Sequence, residues 1–383
     1  MQPFAFHAAK SVIVAPGGAA RLVDHVCRLA ARSVLVVSDP GVAGAGLLEP
    51  ALQGLRDAGL AVSCFAEVAP EPPVEVVLRA AEQARACGAD CVVGFGGGSS
   101  LDAAKLAALL ACSDTRLEDI YGVDKVQGRR LPLVLVPTTA GTGSEVTPIA
   151  IVTTGEGMKQ GVVSPVLLPD VALLDADLTL GLPRHVTAAT GIDAMVHAIE
   201  AYTSKRLKNP VSDSLAREAL RLLAGNVGRA CETPSDRDAR QAMLVGACMA
   251  GMAFANAPVA AVHALAYPVG ARFHVPHGLS NSLVLGPVLR YNLPLAHEHY
   301  AELAGQVLPG LAGSTEARAT ALIAWLEALP GQLGIPTRLS EVGIGVGDLD
   351  ALADDAMRQT RLLVNNPRPL ARDDAAALYR QAL

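Results

Sequence analysis

Three histidines, His263, His274 and His277, fall inside one apolar stretch, VHALAYPVGARFHVPHG, that holds no carboxylate and no cysteine. A carboxylate lies upstream in TGIDAMVHAIEAY, where Asp193 and His197 are four apart in a helical pattern and so share a face. Taken singly, an Asp–His pair reads as a surface contact and His263 as a satisfied core histidine. Taken together, one carboxylate and two or three imidazoles without a thiolate suit Fe(II) or Zn(II) with an open position. A metal so held is a Lewis acid toward an alcohol oxygen, and a hydride acceptor nearby would take hydrogen from the carbon.

Two loops offer a place for that acceptor. GFGGGSSLDAAK, Gly94 to Lys105, has the form of a strand turning through glycines into a helix. Glycines allow a close approach of backbone to ligand, and the helix start presents free N–H groups to an anion. Ser99 or Ser100 is expected to cap that helix, and Asp102 lies in the same motif. No GK[ST] follows, which excludes a P-loop. VPTTAGTGSE, Val136 to Glu145, follows a buried strand and carries Thr138, Thr139, Thr142 and Ser144. Ligands of open parallel sheets bind beyond the carboxyl ends of strands, so both loops can serve one dinucleotide. Asp39 ends SVLVVSD, where a carboxylate would accept from ribose hydroxyls and favour NAD over NADP. It precedes the glycine turn, whereas in a standard Rossmann unit the acidic residue follows it.

The elements that must position these residues change in character along the chain. Up to about Asp177, β-branched runs such as SVLVVSD, ADCVVGFG and LPLVLVPTT alternate with helical patterns, which indicates a parallel sheet covered on both faces. Beyond it the patterns are long, Ala- and Leu-rich and helical. The expected organisation is α/β: a Rossmann-like dinucleotide-binding domain over residues 1–181 and an all-helical metal-binding domain over 182–383. With 51% apolar residues and a net charge of −6, a large core fits and a nucleic-acid footprint does not. Seven cysteines without a CxxC pair fit a reducing cytosol. The N-terminus carries no secretory pattern. Gln241 to Ala271 is free of Asp, Glu, Lys and Arg, but its Ala, Gly, Asn256, Pro258 and His263 read as buried helices and not a membrane span.

GGGSSLDAAK, PTTAGTGSE, TGIDAMVHAIEAYTS, GMAFANA and VHALAYPVGARFHVPHG, in this order and spacing, resemble the iron-containing (group III) alcohol dehydrogenases over essentially the whole chain. The resemblance implies a dehydroquinate synthase-like fold with the active site between the two domains. It implies Asp193, His197, His263 and His277 as ligands of Fe(II) or Zn(II). It places the pyrophosphate on Gly96, Gly97, Gly98 and Ser99. Thr138, Thr139 and Thr142 would meet the adenine and nicotinamide parts, Asp39 and Lys159 the riboses, and Phe254 the substrate cleft. The implied activity is hydride transfer between a small alcohol and NAD, with NADP not excluded, in a cytoplasmic homodimer or larger homo-oligomer. His274 or Tyr267 would relay the proton or wall the site. Tyr267 departs from the histidine that many members carry, and Glu71 departs from a common asparagine. A dehydroquinate-synthase-like lyase needs several basic residues near the metal, and the stretch from Gln241 to Ala271 around His263 has none. A hydroxyacid–oxoacid transhydrogenase is a further alternative within the family.

Overall fold

The computed structural model describes residues 3–155 and 158–383. The chain divides into two units, His7–Gly181 and Leu182–Leu383, and the described residues before His7 go with the second.

The first unit runs β1 (Val12–Val14), α1 (Leu22–Arg28), β2 (Ser33–Val37), α2 (Pro40–Gly44), α3 (Glu49–Asp57), β3 (Ala61–Phe65), α4 (Val74–Ala86), β4 (Cys91–Gly96), α5 (Gly98–Leu110), β5 (Gly122–Val123), β6 (Leu133–Pro137), β7 (Ile149–Thr153), β8 (Lys159–Val163) and β9 (Val171–Leu174). Six strands pair in the order β1-β9-β6-β4-β2-β3, every pair parallel. The continuous apolar runs have a direct cause. Successive side chains of a strand face opposite ways, and here both faces are covered. Leu35, Val37, Val92, Leu133 and Leu135 pack with Val77 and Leu101 on one side. Val34, Val36, Val93, Val134 and Val136 pack with Leu22, Val26 and Leu55 on the other. A second sheet, β5-β8-β7, has one parallel and one antiparallel pair and was not expected from the sequence.

The second unit consists of α6 (Arg184–Thr203), α7 (Pro210–Glu232), α8 (Arg237–Asn256), α9 (Ala261–Phe273), α10 (His277–Val307), α11 (Thr315–Leu333), α12 (Leu349–Met357), α13 (Thr360–Leu363) and α14 (Arg372–Ala382), with no strand among the described residues. After its first turn α6 is buried on almost every side, which makes it the central helix of the unit. Among the described residues no single helix is long and apolar enough to cross a membrane. The charge-free stretch is divided between α8 and α9, which are bent by 107° and largely buried.

Candidate active site

Three helices deliver the four metal-ligand candidates. Asp193 and His197 stand one turn apart on α6, His263 lies in the first turn of α9, and His277 is the first residue of α10. Their ligand atoms all lie within 4.8 Å of one another. His263 Nε2 is 3.0 Å from His197 Nε2, and Asp193 Oδ1 is 3.9 Å from His263 Nε2 and 3.6 Å from His277 Nε2. A tetrahedral ion with bonds of about 2.1 Å separates its ligand atoms by about 3.4 Å, so the donor set fits Zn(II) or Fe(II) in both chemistry and spacing. Asp193, His197 and His263 are buried and His277 is partly exposed. Burial alone would push the Asp193 carboxyl up, but the imidazoles of His197, His277 and His263 outweigh it and hold the group below the usual range.

A close helix contact makes the cluster possible. A Cβ at Gly278 would lie 2.4 Å from the Ala189 carbonyl oxygen and 3.2 Å from Asp193 Cβ. Glycine therefore lets the start of α10 press onto α6 and brings His277 to Asp193.

Two further residues hold the ligands, and the sequence reading missed both. Glu200 accepts the His263 Nδ1–H at 2.7 Å, and also the backbone N–H groups of Ala260 at 3.0 Å and Val262 at 2.7 Å. One carboxylate thus satisfies the start of α9 and fixes the tautomer that presents the His263 Nε2 lone pair. Asn281, one turn after His277, donates its amide to Asp193 Oδ1 at 2.6 Å. The available signal was helical spacing: Glu200 is three residues from His197, and Asn281 four from His277.

Two of the other helical-unit candidates pack on this cluster and one does not belong to it. Phe254 stacks on His197 with ring centroids 4.3 Å apart. The Tyr267 ring is 5.8 Å from that of His277 and 6.4 Å from that of His263. His274 is exposed, closes α9 at φ 55°, and is not one of the clustered ligands.

In the first unit, the loops after β2, β4 and β6 leave the carboxyl ends of adjacent parallel strands. The Thr138 N–H donates to the Gly96 carbonyl at 3.0 Å, which ties the hydroxyl loop to the glycine turn. Helix α5 begins at Gly98, with Gly97 rather than Ser99 or Ser100 as its cap residue. The serines do other work: Ser100 donates to Asp39 at 3.0 Å, and Ser99 accepts the Glu71 N–H at 3.2 Å. A Cβ at Gly96 would lie 2.6 Å from the Ser100 hydroxyl, and one at Gly98 would lie 2.8 Å from Thr142. Only glycines admit this packing. Gly97 sits beside Thr139 without such a conflict. Asp39 also caps α2 by accepting the Val42 N–H. Asp102 accepts from Ser144 at 2.5 Å and from the Ile151 N–H at 2.9 Å, and Lys105 donates to Ser144 at 2.8 Å. Asp102 and Ser144 therefore brace α5 against the hydroxyl loop. Lys159 pairs with Glu71 at 2.5 Å.

Residues 9–176 match the family described as iron-containing alcohol dehydrogenase, and residues 187–383 match the C-terminal part of the Fe-containing alcohol dehydrogenase family. The chain is 41% identical over 370 residues to the long-chain-alcohol dehydrogenase 1 of Geobacillus thermodenitrificans, covering 96% of this chain and 93% of that one. It is 34% identical over 375 residues to the NAD-dependent methanol dehydrogenase of Bacillus methanolicus, covering 97% of each. A crystal structure of 1,3-propanediol oxidoreductase superposes with a TM-score of 0.96 at 34% identity, covering 100% of both chains.

Proposed function

Because the chain belongs to the iron-containing alcohol dehydrogenase family, we propose that its substrate is a small, uncharged primary alcohol, oxidised reversibly to the aldehyde with NAD. The class of reaction, hydride transfer between a CH–OH group and NAD(H), is that of its relatives. The observation that carries the reading is the convergence of Asp193, His197, His263 and His277, three of them buried, on one point. A divalent iron or zinc ion held there supplies Lewis acidity toward the alcohol oxygen.

The chain's own residues do the rest. Glu200 and Asn281 keep the ligands in place before metal arrives, so little reorganisation accompanies binding. Phe254 and Tyr267 stand against the imidazoles and give the site an aromatic wall. That wall supports an alcohol without a charged group, as does the absence of Lys and Arg from Gln241 to Ala271. Of the two proton-relay candidates, Tyr267 stands against the ligand rings, whereas His274 is exposed and outside the ligand cluster. The glycine turn, with Thr138, Thr139 and Thr142, holds the dinucleotide, and Asp39 favours a free ribose hydroxyl over a 2′-phosphate.

The test is NADH absorbance in an anaerobic assay of chelator-stripped protein reloaded separately with Fe(II) or Zn(II), given NAD⁺ and a panel of alcohols, diols and hydroxyacids. NADH is expected only after metal loading and most readily with primary alcohols. Preference for a charged hydroxyacid would overturn the substrate class.

A further inference from the structure

The Glu71–Lys159 pair is fixed against the glycine turn by the backbone. The Glu71 N–H donates to the Ser99 hydroxyl at 3.2 Å. The next residue, Pro72, accepts the Thr153 N–H at 3.0 Å, and Thr153 stands opposite Lys159 in the β7–β8 register. Lys159 is thereby delivered to Glu71, its side chain 9% exposed against 35% for Glu71. Glu71 sits at φ 53°, a conformation that suits Gly or Asn better than a longer side chain. Glutamate places a negative charge at the rim of a turn built for an anion.

The lysine ammonium is then claimed both by this carboxylate and by the cofactor. The carboxylate is covalently part of the chain and always present. The other claimant is NAD(H), whose pyrophosphate would sit on Gly96–Ser99 and whose ribose hydroxyls would reach Lys159. We propose that Glu71 is a positioning residue for cofactor exchange: it holds Lys159 beside the glycine turn in the empty protein and competes with incoming NAD(H) for its ammonium. NAD(H) accordingly binds more weakly, and leaves faster, than it would without the carboxylate. This rests on the dehydrogenase reading above. It adds a determinant of affinity in a residue that need not touch the substrate.

Glu71→Gln keeps the side-chain length and the N–H to Ser99 while removing the charge. NADH binding, followed by its fluorescence, and NADH release, followed by stopped-flow displacement with NAD⁺, need no alcohol and no turnover. For Glu71→Gln the NADH Kd is expected to fall about threefold to tenfold at low salt. Most of that change should lie in the dissociation rate, and the difference should shrink as salt screens the charges. In a Lys159→Met background the same substitution is expected to gain much less, because the contested ammonium is gone. An unchanged or higher Kd for Glu71→Gln would overturn the proposal. So would an equal gain with and without Lys159, which is the signature of direct repulsion of the phosphates. Failure of the wild-type protein to bind NADH at all would instead overturn the dehydrogenase reading, and this inference with it.

Discussion

His263 shows how one residue's chemistry depends on its neighbours. Its Nδ1 is committed to Glu200, which is itself held by two N–H groups at the start of α9. Replacing His263 by Ala removes one of four donors and leaves the other three without their geometry. Metal content by elemental analysis is expected to fall to near zero, and activity with it; a His263→Ala protein with full metal and full activity would refute the ligand set. Glu200→Gln is the subtler change. It keeps the shape but weakens the acceptor that fixes the imidazole tautomer, so metal affinity should drop about 10- to 100-fold. Competition with a chromophoric chelator reads this directly, and an unchanged affinity would mean that Glu200 serves only the start of α9. Asp193 and His197 were legible because a spacing of four marks one helical face. Glu200 was not, because its partners are sixty or more residues away and depend on where α9 begins.

Much of the larger sheet and the long helices follow from pattern: apolar runs of five or six residues for β2, β4 and β6, and helical periodicity for α4 and α7. The small sheet β5-β8-β7 escaped because two of its three members are short or polar. Lys159–Val163 opens with Lys, Gln and Gly, and Gly122–Val123 has only two residues. Such strands exist through their partners rather than through their own preference. Close contact between elements was equally hidden, since Gly278 looks ordinary until α10 is seen against Ala189. Gly278→Ala is therefore predicted to force α10 away from α6 at a cost of about 1–3 kcal/mol. Because His277 is the adjacent residue, the same change should weaken metal binding. Denaturant unfolding and chelator competition on one variant test both effects together, and a variant normal in both would mean that the helices part without disturbing the ligands.

At the scale of the whole molecule, a buried ionisable network behind the hydroxyl loop should make stability depend on pH. Lys105 and Glu145 are both fully buried, and burial drives them toward their neutral forms. The Lys105 amine is pushed down by burial against the pull of Asp102. The Glu145 carboxyl is pushed up to about 7, with burial outweighing its backbone hydrogen bond and Lys105. Between the ordinary carboxyl range and about 7, the folded protein keeps a proton on Glu145 that the unfolded chain has released. Unfolding in that window releases a proton, so the Glu145 contribution is most favourable at low pH and is lost as pH rises through about 7. Above that it levels off. Glu145→Gln removes the titration and, above pH ~8, should make the protein more stable than wild type by up to about 3 kcal/mol. Loss of a charge near Lys105 works against part of that gain. Chemical denaturation of both proteins in steps from pH ~5 to ~9 is the measurement. The two stabilities should diverge between pH ~5 and ~7 and run parallel above that, while curves parallel throughout would mean that Glu145 stays ionised and that Lys105 sustains it.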